Sequence, residues 1–280
     1  MRNDVRPSAT AARQAGSDGP FLLGLTVIGS LYVGLILAMV AADAAFTSPG
    51  HLWRALASPE IRYAIKLSLI SCSISAILSL WVAVPTGYLM SRHRFPGRGL
   101  VDAILDIPIV LPPLIVGLSL LILFQTPPGR ALEKVVPVTY AIPSVILAQF
   151  SVACAFAVRT MRVAFDQISP RNEQVALTLG CTRGQAFWRV ALPEARRGML
   201  TALTLAWARS LGEFGPILIF SGATRLRTEV LSTTVFLELS IGNLDAAVAV
   251  SLLMILAAVA VLLLVRSFGS ESAFGKGMEP

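Results

Sequence analysis

The chain has 280 residues and a mass of 29.8 kDa, with 55% hydrophobic and 14% charged residues and a mean hydropathy of +0.73. A water-soluble domain usually carries about 25% charged residues, so this composition excludes one and points to a lipid bilayer. The net charge of +7 would suggest nucleic acid in a soluble chain, but no basic patch interleaved with aromatics occurs, and the excess reads as loop charge that fixes orientation.

In chain order, a polar tail over residues 1–20 is expected to be disordered. Six apolar stretches then approach the roughly 20 residues that cross a hydrocarbon core. They are Phe21 to Ala42, residues 64–89, Val101 to Phe124, Ala141 to Val158, Gly198 to Phe220 and Leu244 to Val265. The first is too long for a signal-peptide core and no small-residue cleavage site follows it. The third is interrupted by Pro108, Pro112 and Pro113, which each remove a backbone donor and predict a kink or local unwinding. The fifth carries Arg209 and Glu213. A second tail covers 269–280, leaving 21–268 as one membrane domain. Fifteen of the 23 Lys and Arg residues fall in the N-terminal tail, the 92–98 loop, the 159–197 segment and the stretch after Val265. Seven lie on the opposite side and Arg209 lies within a span. The positive-inside rule then places both termini and the long loop in the cytoplasm. Cys72, Cys154 and Cys181 are far apart and give no disulfide or metal framework.

The long loop, about 166–197, has local helix signals. Ser169 can cap a helix whose first turn holds Pro170 and Glu173, and Gly180 stops it. Thr182 can cap a second short helix from Arg183 to about Val190, which Pro193 is expected to end. Leu177, Leu179, Phe187 and Trp188 supply apolar contacts.

This stretch resembles the cytoplasmic loop of permease subunits of ATP-binding-cassette (ABC) importers, whose pattern is Glu-Ala-Ala, three residues, Gly, nine residues, Ile, one residue, Leu-Pro. The matching positions are Gln174, Val175, Ala176, Gly180, Val190, Leu192 and Pro193. Gln174 and Val175 depart from the usual Glu and Ala, and Glu173 stands one residue early. The resemblance implies an all-α, six-span permease of the type I importer class, with a coupling helix around Gln174–Gly180 seated in a groove of a separate ATPase. Glu173, Gln174, Ala176, Gly180, Leu192 and Pro193 are the candidate coupling residues. Implied partners are an ATPase dimer that uses ATP and Mg²⁺, a second permease copy (a homodimer is favoured), an extracytoplasmic binding protein and membrane lipid, in a bacterial inner membrane. No cofactor, metal or nucleic acid is expected on this chain.

Two further segments, Asp106 to Gly117 and Ala208 to Pro216, resemble permeases for molybdate, tungstate and sulfate, and the resemblance covers roughly residues 60–265. Gly212-Glu-Phe-Gly leans toward molybdate or tungstate, whereas Thr228-Glu-Val-Leu-Ser looks more like the sulfate branch. Candidates for the path or gate are Pro112, Pro113, Ser119, Arg209, Ser210, Glu213 and Gly215. Gly117, Gly212 and Gly215 allow close backbone approach between helices. Arg209 and Glu213 share a helical face four residues apart and are read first as an ion pair locking the fifth span. A full-strength cationic site would slow release of a passing anion, so the hydroxyls of Ser119 and Ser210 suit a weak path better. Only two histidines occur, neither near a nucleophile or carboxylate dyad, and no Gly-rich phosphate loop is present, so no catalytic residue is expected. A stand-alone secondary transporter or channel would carry charges deep in several spans, and one such cluster is found.

Overall fold

The computed structural model describes residues 19–274, with side chains to residue 263, and its contacts divide the chain at Phe46 into two units. Residues 1–18 and 275–280 of the expected tails lie outside the described residues. Every described element is helical. The first unit contains α1 (Gly19–Phe46), whose stretch Phe21–Phe46 has a mean hydropathy of 2.3 and no polar face. A helix apolar all round is stable where lipid or protein surrounds it, as a membrane span is.

The second unit begins with two short-range caps. Ser48 accepts from the His51 amide to start α2 (Pro49–Ala57), and Ser58 accepts from the Ile61 amide to start α3 (Pro59–Arg92). The expected third span is divided into α4 (Arg98–Val110) and α5 (Pro113–Gln125), bent by 111°. The break falls at Leu111 and Pro112. Leu111 ends α4 through its amide to Ile107 O, then turns extended before a proline, and neither Pro112 nor Pro113 can donate. Pro108 sits inside α4 without ending it.

After α6 (Pro127–Glu133) comes α7 (Ile142–Asp166). The next helices are α8 (Pro170–Thr178) and α9 (Arg183–Ala186), followed by a π-helical turn, Phe187–Ala191, and α10 (Leu192–Glu194). The expected fifth span divides into α11 (Arg196–Leu211) and α12 (Gly215–Phe220). Finally come α13 (Leu231–Ser240) and α14 (Leu244–Phe274), which continues past the expected end of the domain at 268.

Among the described residues four helices are long and apolar enough to cross a membrane, or five when α4 and α5 count as one broken span. The predicted count of six is therefore not reached by length. The fifth span is the reason: α11 is 16 residues, about 24 Å at 1.5 Å per residue, short of a hydrocarbon core of about 30 Å.

The bundle is centred on α3 packed along α7, with α11 against both. Small residues make this possible: Ser68, Ser71, Ser75, Ala76, Ser79 and Ala83 are buried on α3. A Cβ on Gly87 would stand 2.8 Å from Met161 Cβ, so only glycine lets α7 approach there. Such close packing, with bonds like Ser75 Oγ donating to Ile146 O at 3.0 Å, replaces the hydrophobic drive that lipid cannot supply between helices.

Contacts sort the loops of this unit to two ends. At one, Arg92 bonds the carbonyls of Phe165 and Ile168, while Arg159 pairs with Asp106 and Arg162 with Asp102. At the other, Tyr63 bonds Arg227 O, Arg225 pairs with Glu238 and His51 lies 3.5 Å from Asp245. The 92–98 loop and the 159–197 segment thus share an end, as their Lys and Arg content predicts.

Candidate functional site

The loop between α7 and α11 folds by local bonds. Ser169 caps α8, accepting from the Arg171 amide at 3.4 Å. The helix closes with Cys181 N–H to Ala176 O and Gly180 N–H to Leu177 O, both at 3.0 Å, and Gly180 takes φ +88°, the left-handed ending that glycine favours. Thr182 and Gln185 then form a reciprocal capping box for α9. Pro193 does not end the second helix, contrary to expectation. The π-turn carries the Leu192 amide back to Phe187 O, five residues away, and the chain passes through Pro193 into α10.

On this hairpin Gln174, Val175, Gly180 and Pro193 are exposed, Ala176 is buried and Leu192 half-buried. Leu179 is 80% and Trp188 67% exposed, Val175 and Leu177 are exposed as well, and the same hairpin carries the exposed Arg171, Arg183 and Arg189. Glu173 behaves differently. Its side chain turns into the protein, where Tyr88 Oη donates to Oε2 at 2.6 Å and Arg92 Nε to Oε1 at 2.7 Å. Arg92 counted in the sequence only as a topology charge and Tyr88 not at all; nothing local in α8 signals this partnership across more than 80 residues.

The two interrupted helix pairs, α4–α5 and α11–α12, meet each other. A Cβ on Gly215 would lie 2.8 Å from Pro113 Cβ and 2.9 Å from Leu114 N; one on Gly117 would lie 2.7 Å from Pro216 Cα. Each span thus offers a glycine to the other's proline, and α5 packs on α12 backbone to backbone. Gly212 makes no such approach: its nearest atoms are its own helix's carbonyls at about 3.9 Å. Pro112, Pro113 and Ser119 are exposed on this arm, whereas Ser210 is buried with no hydrogen-bond partner.

At the Gly212–Phe214 break, Glu213 is 1% exposed, with Arg209 Nη1 2.5 Å from Oε2 in an ion-pair contact. The Arg209 guanidinium also lies 5.6 Å from the Phe156 ring centroid of α7. Ser232 Oγ holds the Glu213 carbonyl at 2.7 Å, fixing the broken backbone to α13.

The opposite end has a cavity of about 350 Å³ lined by His51, Arg54, Arg225, Glu238, Asn243 and Asp245. Close to it, Glu229 is fully buried, and burial raises its pKa more than the Thr234 hydroxyl and the Arg225 charge lower it. Glu229 was missed as a buried acid because the 221–231 stretch has no helical or strand periodicity to show which side faces inward.

Comparison with known proteins agrees with this architecture. The chain is 32% identical over 253 residues to the sulfate transport system permease protein CysT of Escherichia coli, covering 88% of this chain and 91% of the relative. It is 34% identical over 224 residues to a probable molybdenum ABC transporter permease protein of Haloferax volcanii, covering 80% and 81%. It is 31% identical over 240 residues to the molybdenum transport system permease protein ModB of Mycobacterium tuberculosis, covering 85% and 89%. A chain in the crystal structure of a bacterial alginate ABC transporter in complex with its pentasaccharide-bound periplasmic protein superposes with a TM-score of 0.71 at 19% identity, over 90% of this chain and 94% of that one, a likeness of fold. Residues 83–270 match the family described as binding-protein-dependent transport system inner membrane component. That span takes in the α8–α10 hairpin and both interrupted helix pairs, α4–α5 and α11–α12, and the chain belongs to this family of ABC importer permeases.

Proposed function

We propose that the chain is the translocation subunit of an ATP-driven importer of a tetrahedral oxyanion, with molybdate or tungstate as the favoured cargo. Counting α4 with α5 and α11 with α12 as one broken span each gives six crossings. The charge sorting of the loops supports a cytoplasmic placement of both termini and of α8–α10. Two copies enclose the path, two ATPase subunits that use ATP and Mg²⁺ dock below, and an extracytoplasmic binding protein delivers the anion from above.

The observation that carries this reading is the α8–α10 hairpin: a glycine bend at φ +88° with the exposed apolar side chains Val175, Leu177, Leu179 and Trp188 at the basic end of the bundle. An apolar surface of this kind suits a protein partner. Gln174, Ala176, Gly180, Leu192 and Pro193 shape it. The mutual Gly–Pro contacts of the broken spans, with Ser119 and Ser210 near them in sequence, suit a gate whose arms slide on backbone and hold the anion weakly. Arg209 and Glu213, being paired, act as a lock rather than as an anion ligand.

Sulfate is the second reading, favoured by the Thr228–Ser232 segment and by the sulfate permease relative from Escherichia coli. Reconstitution in vesicles with the ATPase, testing molybdate-, tungstate- and sulfate-loaded binding proteins in turn, separates them. The loaded protein that stimulates ATP hydrolysis names the cargo, and stimulation by none of them rejects the oxyanion reading.

A further inference from the structure

On the reading of α8 as the ATPase-coupling helix, we propose that Glu173 is a positioning residue that ties α8 from inside to the last turn of α3, and is not a contact for the ATPase. The backbone of α8 packs chiefly against α9 and the π-turn. Its link to the membrane bundle runs instead through the Glu173 side chain, which is 11% exposed while Gln174 and Val175 beside it are exposed residues.

Both carboxylate oxygens are used, one by Tyr88 Oη at 2.6 Å and one by Arg92 Nε at 2.7 Å. Arg92 in turn donates to Phe165 O and Ile168 O, each at 2.9 Å, so one guanidinium joins the ends of α3 and α7 to α8. The Tyr88 ring packs edge-on against Phe165 at 5.4 Å and Phe187 at 4.7 Å, adding the π-turn to the same junction. A charged, nearly buried bond with planar directionality resists sliding in a way that an apolar contact does not. A push on the exposed face of α8 therefore reaches α3 through Glu173. The other polar tie of α8, Asn172 to Glu194, is exposed and ends on α10 instead.

The test uses the full permease with its ATPase in vesicles and reads three quantities: ATPase retained on the permease, basal ATP hydrolysis, and anion taken up per ATP. In Glu173→Ala the ATPase stays bound while uptake per ATP falls about tenfold, the scale of losing charge-assisted hydrogen bonds. Glu173→Gln keeps an acceptor oxygen and loses only two- to threefold, about a neutral bond's share. The double variant Glu173→Gln/Arg92→Gln is no worse than the poorer single, because the two act as one unit. Loss of the ATPase from Glu173→Ala, as from the exposed-face variant Leu179→Asp, would make Glu173 a direct contact and overturn the proposal. So would unchanged uptake per ATP, or strictly additive losses in the double variant. If the wild-type permease itself neither retains an ATPase nor imports, the coupling reading fails and not the strut alone.

Discussion

The α8–α10 hairpin and the paired broken spans solve the same problem, a helix interrupted by glycine and proline, in opposite ways. In the hairpin the interruptions are bonded within a few residues, by Ser169, by the Gly180 ending, by the Thr182–Gln185 box and by the π-turn before Pro193. The hairpin can therefore move as one piece. In the broken spans the interruptions at Pro112 and Gly212–Phe214 are held from outside: Gly215 on Pro113, Gly117 on Pro216, and Ser232 on the Glu213 carbonyl. Those contacts exist only while the spans keep their registry. On the proposed function, the hairpin would serve as a locally built lever and the paired helices as a register-dependent clasp.

The contrast breaks most visibly at Arg209. Removing it as Arg209→Ala leaves the buried Glu213 carboxylate without a counter-charge and should cost about 3 kcal/mol, read as a fall in melting temperature in detergent. The double change Arg209→Met/Glu213→Gln, with no orphaned charge, should recover most of that loss. Next, Gly215→Val forces side-chain atoms into Pro113 and the Leu114 amide and should cost about 2 kcal/mol, while Gly212→Ala, with nothing closer than 3.9 Å, should change stability by less than about 0.5 kcal/mol.

In the lever the costs are local. Gly180→Val places a β-branched residue at φ +88° and should cost about 1–2 kcal/mol, redirect the bend and uncouple hydrolysis from uptake with the complex still assembled. Gly180→Asn, which tolerates that conformation, should keep uptake; no neighbouring atom opposes its Cβ. The smallest effect concerns Glu229. Its folded carboxyl binds a proton more tightly than the unfolded one at 4.5, so stability is full below that pH and declines as pH rises through the raised value. Glu229→Gln should raise the melting temperature at pH 7.5 and leave it unchanged near pH 4.

How much of this was legible follows the same division. The start of α8, the Gly180 bend and the Thr182 cap could be read in sequence because their causes lie within four residues. The break at Pro112–Pro113 was legible because proline acts on its own backbone. Pro193 misled for a related reason: an i→i+5 bond from the Leu192 amide to Phe187 O, just before the proline, lets the helix continue, and no composition rule announces it. The break at Gly212–Phe214 hid inside an apolar run, with the Gly-Glu-Phe-Gly signature as its only local sign. The inward turn of Glu173 could not be read at all, since it depends on where α3 places Tyr88 and Arg92.

The most direct test is ATP hydrolysis and anion uptake in vesicles holding the permease and its ATPase, with oxyanion-loaded binding protein, comparing wild type with Gly180→Val. The account predicts that loaded binding protein stimulates hydrolysis and uptake in the wild type, and that Gly180→Val keeps the ATPase bound but loses uptake. Full uptake by Gly180→Val, or anion movement by the permease without any ATPase, would contradict it.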